Sequence, residues 1–305
     1  GPHALLQYPL LSLDGDGTLH AAWTTQKHGE YLYWDIHHIL SRDGGRNWEK
    51  MDGTSLELPV VADDQGPSDS VVLDDEYQVH TWLSSFMARE GKLHFLYMAQ
   101  TRPPRQHYLR CDLRSALQEQ RLWPELRGEQ LSLLGLDGLL ATRAAVSGAP
   151  LYCVANAGGY LACLASDDQG NSWYDYAISQ EKFHLYSIGG CRELTSDGHI
   201  VGTFTDQQGS PQDASGRSRV YFFKIRAGLS AAQVENFRYV DGQARGRFAQ
   251  VRGQPHQVRL GTRGGWWSDW YPFAPELSIP LQEEPDRFQL RSRLGVVSGE
   301  RAIVP

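Results

Sequence analysis

The stretch Ser41-Arg42-Asp43-Gly44-Gly45-Arg46-Asn47-Trp48 recurs as Ser166-Asp167-Asp168-Gln169-Gly170-Asn171-Ser172-Trp173, with Ser, Asp, Gly and Trp at the same relative positions. Each copy follows an apolar and aromatic run that reads as a strand, Tyr31 to Leu40 in one case and Tyr160 to Ala165 in the other. In a tight turn Asp and Ser bond neighbouring backbone groups, and Gly supplies a positive φ. The Trp can pack beside the turn as the next strand starts. A turn repeated with fixed spacing means that the chain is assembled from repeated units, each a strand set closed by the same device.

Hairpins fill the intervals. Six stretches alternate in polarity around a turn signal: Leu11 to Trp23, Leu83 to Tyr97, Thr142 to Val154, Cys191 to Thr203, Gly246 to Val258, and Arg291 to Val304. Their starts lie roughly 45 to 70 residues apart, the size of a four-stranded propeller blade with variable loops. Aromatic content of 11% with 31 Gly and 15 Pro suits many short strands and tight turns. The paired Ser41–Trp48 and Ser166–Trp173 turns resemble the Asp-box, or bacterial neuraminidase repeat, of sialidase-like β-propellers. That resemblance implies a fold more than an activity, because there the box sits on the outer turn of a blade.

The expected fold is therefore all-β, a propeller of four-stranded blades numbering five to seven, six favoured, in a single domain over residues 1–305. The sixth hairpin is incomplete, so either the two termini pair to close the ring or the natural chain is longer. Two stretches depart from the pattern. Ser115 to Glu129 has the Leu, Ala, Gln and Glu density of one or two helical turns, and Met51 to Gln78 is a long acidic connection expected to cover one face of the ring.

Several classes are excluded or bounded by composition. A net charge of −7 argues against a nucleic-acid surface. No apolar run approaches the ~18 residues that span a bilayer, so no membrane span is expected. Gly1-Pro2 resembles a protease scar, which leaves room for a removed leader and a secreted or periplasmic location. Cys111, Cys153, Cys163 and Cys191 lack metal-ligand spacing, and no cofactor motif is present. Cys153 and Cys163 lie equally far from Gly158 and are a candidate disulfide pair, buried free thiols being the plainer reading. Asp63-Asp64-Gln65-Gly66 and Asp74-Asp75-Glu76 suit a structural calcium, with a solvated acidic loop as the plainer reading.

In a propeller the starts of the innermost strands and the loops after the second strands converge on one face. Those positions supply His80, Trp82, Arg143, His184 and Tyr186 from the starts, and His28, Arg102, Arg105, His107, Asp206 and Arg263 from the loops. His184, Tyr186, His80 and His107 are the catalytic candidates. Alternation places His184 and Tyr186 on one side of a strand, where imidazole can take a proton and phenol can give one. Arg102, Arg105, Arg143 and Arg263, with His28, Asp206 and Trp82, are the substrate-binding candidates. A guanidinium holds a carboxylate or sulfate bidentately and aromatic rings suit sugar faces, so an acidic oligo- or polysaccharide is the expected partner. For any single Arg the plainer reading is balance of an acidic surface.

One longer segment, Tyr33 to Pro59, resembles the variant of this repeat in propeller-type polysaccharide lyases of the ulvan-lyase kind. That resemblance implies β-elimination on a uronate-containing glycan, with a His base, a Tyr acid and Arg neutralising the carboxylate. The alternatives are a sialidase-like exo-glycoside hydrolase and a non-catalytic glycan-binding propeller. By resemblance the hydrolase would show an Arg-Ile-Pro segment, and none occurs here. Tyr8 or Tyr186 would then be its nucleophile, Glu193 or Glu30 the partner, and Asp206 or one of Asp63, Asp64 and Asp69 its acid.

Overall fold

In a computed structural model of the chain, the described residues are 4–27, 32–60, 68–72, 81–99, 105–114, 117–122, 138–209 and 216–303. They form strands and turns, with no helix among them.

The first sheet holds β1 (Ala4–Leu13), β2 (Leu19–Lys27), β3 (Leu32–Ser41), β4 (Trp48–Glu49) and β5 (Ser55–Leu56) in that order, with β6 (Asp69–Val72) against β3. The second is β7 (Thr81–Arg89), β8 (Lys92–Ala99), β9 (Arg105–Asp112) and β10 (Leu117–Leu122). The third is β11 (Leu139–Ala141), β12 (Leu151–Ala157), β13 (Tyr160–Ser166) and β14 (Tyr174–Lys182). The fourth is β15 (Leu185–Gly190), β16 (His199–Gln208) and β17 (Arg217–Arg226). All four are antiparallel meanders.

These sheets stack face to face because β8, β12 and β13 are buried on both sides. Leu93, Phe95 and Tyr97 of β8 join Ala22 and Ile36 in the core between the first and second sheets. Leu96, on the other face of β8, meets Leu140, Leu151 and Leu164 in the core between the second and third. Val154 and Cys163 pack with Ile188, Ile200 and Phe204 between the third and fourth. Side-chain alternation thus makes the second and third sheets each the wall of two cores.

The leading strands run in one direction. The Leu83 N–H donates to Thr24 Oγ1 at 3.0 Å and the Ala88 N–H to Ser12 Oγ at 2.9 Å, so β7 follows the course of β1 and its hairpin. The Leu140 N–H donates to Ser85 Oγ at 3.1 Å, and Arg89 Nη1 to Thr142 Oγ1 at 2.6 Å, which sets β11 parallel to β7. Thr142 then bridges Glu193 in parallel sense just beyond β15. The starts of β7, β11 and β15 consequently share one end of the stack.

The repeated turn has the same bonds in both copies. Ser41 Oγ donates to Asp43 Oδ1 at 2.9 Å and receives the Gly45 N–H at 2.8 Å. Ser166 Oγ donates to Asp168 Oδ1 at 2.9 Å and receives the Gly170 N–H at 2.7 Å. The Asn47 and Ser172 N–H groups close on Asp43 and Asp168 at 2.9 and 2.8 Å. Each turn joins the third strand of its sheet to the fourth.

Residues 231–303 are arranged differently. One sheet is β18 (Ala231–Val240), β19 (Gln243–Arg252) and β22 (Glu276–Pro280). The other is β21 (Tyr271–Pro272), β20 (Pro255–Gly261), β23 (Arg287–Ser292) and β24 (Arg301–Ala302). The chain crosses between them after β19, after β21 and after β22, and both line a shared core of Val234, Phe248, Leu260, Leu277, Ile279 and Phe288. Two layers that exchange strands are a sandwich, whereas a blade keeps consecutive strands in one sheet. The hairpin expected at Gly246 to Val258 is therefore corrected: β19 and β20 belong to different layers.

Other local expectations change too. Residues 117–122 are β10 and not helical, because β9 offers an edge along its whole length from Asp112 to His107. Thr142 to Val154 starts three residues late, since Leu139–Ala141 forms the leading strand. Cys153 and Cys163 are free. The hairpin turns on Gly158 and Gly159 together, so Val154 opposes Cys163, and Cys153 falls on the opposite face. A register offset of one residue reverses the face of every side chain. The acidic segments around Asp63 and Asp74 lie outside the described residues; among those described, no cluster of three potential metal ligands occurs.

Candidate functional site

The end of the stack where the leading strands begin holds Trp82, His107, His184, Tyr186 and Asp206 of the predicted residues. Trp82 lies at the start of β7, with its register partner Met98 opposite Gln106 of β9, and its ring is 5.4 Å from that of Tyr33. Arg105 and His107 open β9; His107 is buried and stacks on Tyr97 at 5.1 Å. His28, His80 and Arg102 lie outside the described residues.

His184 and Asp206 meet at the entry to β15, where Tyr186 also lies. Asp206 belongs to the face of β16 that carries Ile200 and Phe204 into the core, and it is itself buried. From there its Oδ1 accepts the His184 backbone N–H at 2.8 Å and lies 3.8 Å from His184 Nδ1. The imidazole is 78% exposed, so an anchored backbone carries an accessible ring beside a carboxylate. Tyr186 is 47% exposed. The register of β15 shifts between Leu185 and Ser187, so the strict alternation that pairs His184 with Tyr186 does not hold across this step. His184 owes its position to Asp206 and not to the strand pleat.

Two arginines at this end carry no motif. Arg217 and Arg219 start β17, exposed, and Arg219 is the register partner of Asp206. Directly opposed residues in an antiparallel pair share a face, which brings a cation to the same side as the Asp206 carboxylate. In the sequence they follow residues 209–216, and a count of hairpin positions from Cys191 passes over them.

Arg143 and Arg263 are not part of this group. Arg143 follows β11, at the opposite end of the stack, and its Nη2 donates to the Thr195 carbonyl at 2.6 Å in the β15–β16 turn. Arg263 lies in the β20–β21 connection of the sandwich, 3.6 Å from Asp286 and 81% exposed. Histidines within the sheets are packed as structural groups: His20 Nδ1 lies 3.1 Å from His38 Nε2, and His94 Nδ1 lies 2.6 Å from the Tyr108 hydroxyl.

No protein-family model and no curated protein sequence matches the chain. Among solved structures it is similar to an ulvan lyase of a new polysaccharide-lyase family, with a TM-score of 0.49 and 11% identity over 72% of this chain and 51% of that one. It is also similar to the Trypanosoma rangeli sialidase in complex with the inhibitor DANA, TM-score 0.42 and 11% identity over 97% of this chain and 54% of that one. A third is the Aleuria aurantia lectin in complex with a fucose-containing saccharide, TM-score 0.35 and 9% identity over 97% and 96%. The chain spans about half the length of the lyase and of the sialidase.

Proposed function

We propose that the chain is a carbohydrate-active β-propeller protein that cleaves an acidic, uronate-containing glycan by β-elimination at the end of the stack holding His184. The observation that carries this reading is the exposed His184 imidazole 3.8 Å from the buried Asp206 carboxylate, which also holds the His184 backbone N–H, with Arg219 the register partner of Asp206. The matched turns at Ser41–Trp48 and Ser166–Trp173, bonded alike, support their reading as Asp-boxes and the successive sheets as blades.

In the proposed reaction His184 takes the proton from the carbon next to the uronate carboxylate. The electron pair left behind forms the new carbon–carbon double bond as the glycosidic bond to the neighbouring carbon breaks. Tyr186 protonates the departing oxygen. Asp206 stabilises the imidazolium that forms, and Arg219 neutralises the carboxylate, which makes the proton easier to remove.

Incubation with uronate polymers, followed by absorbance at about 235 nm where the unsaturated product absorbs, tests the proposal. A rise that is lost in His184→Ala is the expected result. Release of a terminal sugar without that rise would favour the sialidase-like hydrolase, and binding without turnover the lectin-like reading; either outcome overturns the lyase.

A further inference from the structure

The sandwich carries a feature that the propeller site does not use. Trp267 and Trp270 sit in the connection between β20 and β21, while Arg259 and Arg291 stand on the neighbouring strands β20 and β23. The Arg259 guanidinium lies 4.6 Å from the centre of Trp267 and 4.8 Å from that of Trp270, and Arg291 lies 4.2 Å from Trp270. Each cation is fixed in turn: Arg259 donates to Gln289 Oε1 at 2.9 and 2.6 Å, and Arg291 to Gln257 Oε1 at 3.0 Å. An alternating ladder of this kind holds the indoles still, since each ring is gripped by a side chain that is itself hydrogen-bonded.

Beside the ladder a cleft of about 470 Å³ opens to solvent, within the size range of small-molecule sites. Trp266, Trp267 and Tyr271 line it together with Ser268, Asp269 and Gln282. All three rings are half-buried, and Trp266 and Tyr271 rest on the sandwich core. Gly261 is required here, because a β-carbon on it would strike the Trp267 ring and the Trp266 carbonyl. The loop is therefore pressed onto the sheet by its indoles.

We infer that this cleft is a second carbohydrate site, one that takes a neutral sugar, so that the sandwich anchors the protein to an uncharged glycan. Rigid, half-buried aromatic rings suit the apolar face of a pyranose, and a rim of amide and carboxylate groups suits its hydroxyls. The charge in the cleft decides against an acidic ligand. Asp269 is the one ionisable acid or base of ordinary pH lining it, and the arginines nearby are committed to the ladder and to Gln289 and Gln257. A phosphate, sulfate or uronate would meet a carboxylate with no cation to offset it. This inference does not rest on the role of His184.

Titration of the intact chain with cellotetraose, xylotetraose, mannotetraose and laminaritetraose, followed by tryptophan fluorescence and calorimetry, tests it. Tetragalacturonate and choline serve as the acidic and cationic probes. At least one neutral tetraose is expected to bind, and Trp267→Ala to weaken it about tenfold or more, the equivalent of one ring contact. Because Trp267 belongs to the ladder, Asp269→Ala and Gln282→Ala at exposed rim positions are tested in parallel. They are expected to keep the wild-type unfolding midpoint, to weaken the same tetraose several-fold, and to leave elimination at the His184 end unchanged. Failure of every neutral tetraose to bind, binding of choline or tetragalacturonate instead, or binding indifferent to all three substitutions overturns the inference.

Discussion

The hydroxyl of Tyr108 stands where a β-carbon on Gly170 would have to be. Tyr108 belongs to the second sheet and Gly170 to the repeated turn of the third, so the turn closes its own sheet and also fits the side of the one before. Tyr108 meets Trp173 edge-on at 5.2 Å, and Arg110 Nη1 reaches the Gln169 carbonyl at 3.3 Å.

Gly45 is the counterpart of Gly170 in the first turn, with a similar positive φ (89° against 82°) and only ordinary contacts at 3.8 and 3.9 Å. Gly45→Ala should therefore cost about 1 kcal/mol, the strain of a left-handed backbone. Gly170→Ala adds a collision with a buried ring and should cost roughly 3 kcal/mol or more. Urea midpoints of the two variants check this, and equal losses would refute it.

Arg89 is buried, with Nη1 on Thr142 Oγ1 at 2.6 Å and on the Ala149 carbonyl at 2.7 Å, and Nη2 on the Val146 carbonyl at 3.0 Å. It fastens the end of β7 to the β11–β12 turn. Arg89→Met keeps the stem but strands those acceptors, and a loss of about 3 kcal/mol in chemical denaturation is expected.

Acid should destabilise the fold before its carboxylates are protonated. Burial, and then the neighbouring His38, lowers His20 from 6.5 to about 4; burial, and then Arg89, lowers His94 to about 3. Both are neutral in the folded chain, so the unfolded chain binds more protons in this range. Their stabilisation is complete above pH 6.5 and is lost as pH falls from 6.5 toward 4 for His20 and toward 3 for His94, on the order of several kcal/mol in all. The thermal midpoint should drop across that window, and His94→Gln should flatten the slope. A midpoint unchanged from pH 6.5 to 4 would count against it.

Asp206 has two jobs that substitutions separate. Asp206→Asn keeps an oxygen for the His184 N–H and removes the charge, whereas Asp206→Ala removes both. On the proposed reading the Asn variant should lose about tenfold in turnover through the weaker imidazolium, and the Ala variant more through misplacement of His184. His184→Ala should lose about a hundredfold or more. Equal turnover in Asn and wild type would remove the electrostatic role.

Much of the blade region was legible because its signals are local. A Ser-x-Asp turn satisfies its own backbone, and alternation around a Gly turn pairs its own strands. The hairpins at Leu11–Trp23 and Leu83–Tyr97 thus follow from neighbouring residues, whereas at Cys191–Thr203 the leading strand is Leu185–Gly190 and ends before Cys191. The near misses are offsets. A two-glycine turn at 158–159 moves Cys153 away from Cys163, and a three-residue error at Thr142 sends Arg143 to the wrong end of the stack.

What sequence alone determined is the repeated turn and the all-β class. Tertiary structure decided the rest. Gly246 to Val258 alternates as a hairpin would, but its two halves enter opposite layers, from which Phe248 and Val258 both reach the shared core. The alignment of Asp206 with His184, of Arg219 with Asp206, and of Arg259 with Trp267 and Trp270 likewise joins positions separated in the chain. Local pattern specifies strands and turns; which strands share a layer depends on burial that only the folded chain can compare.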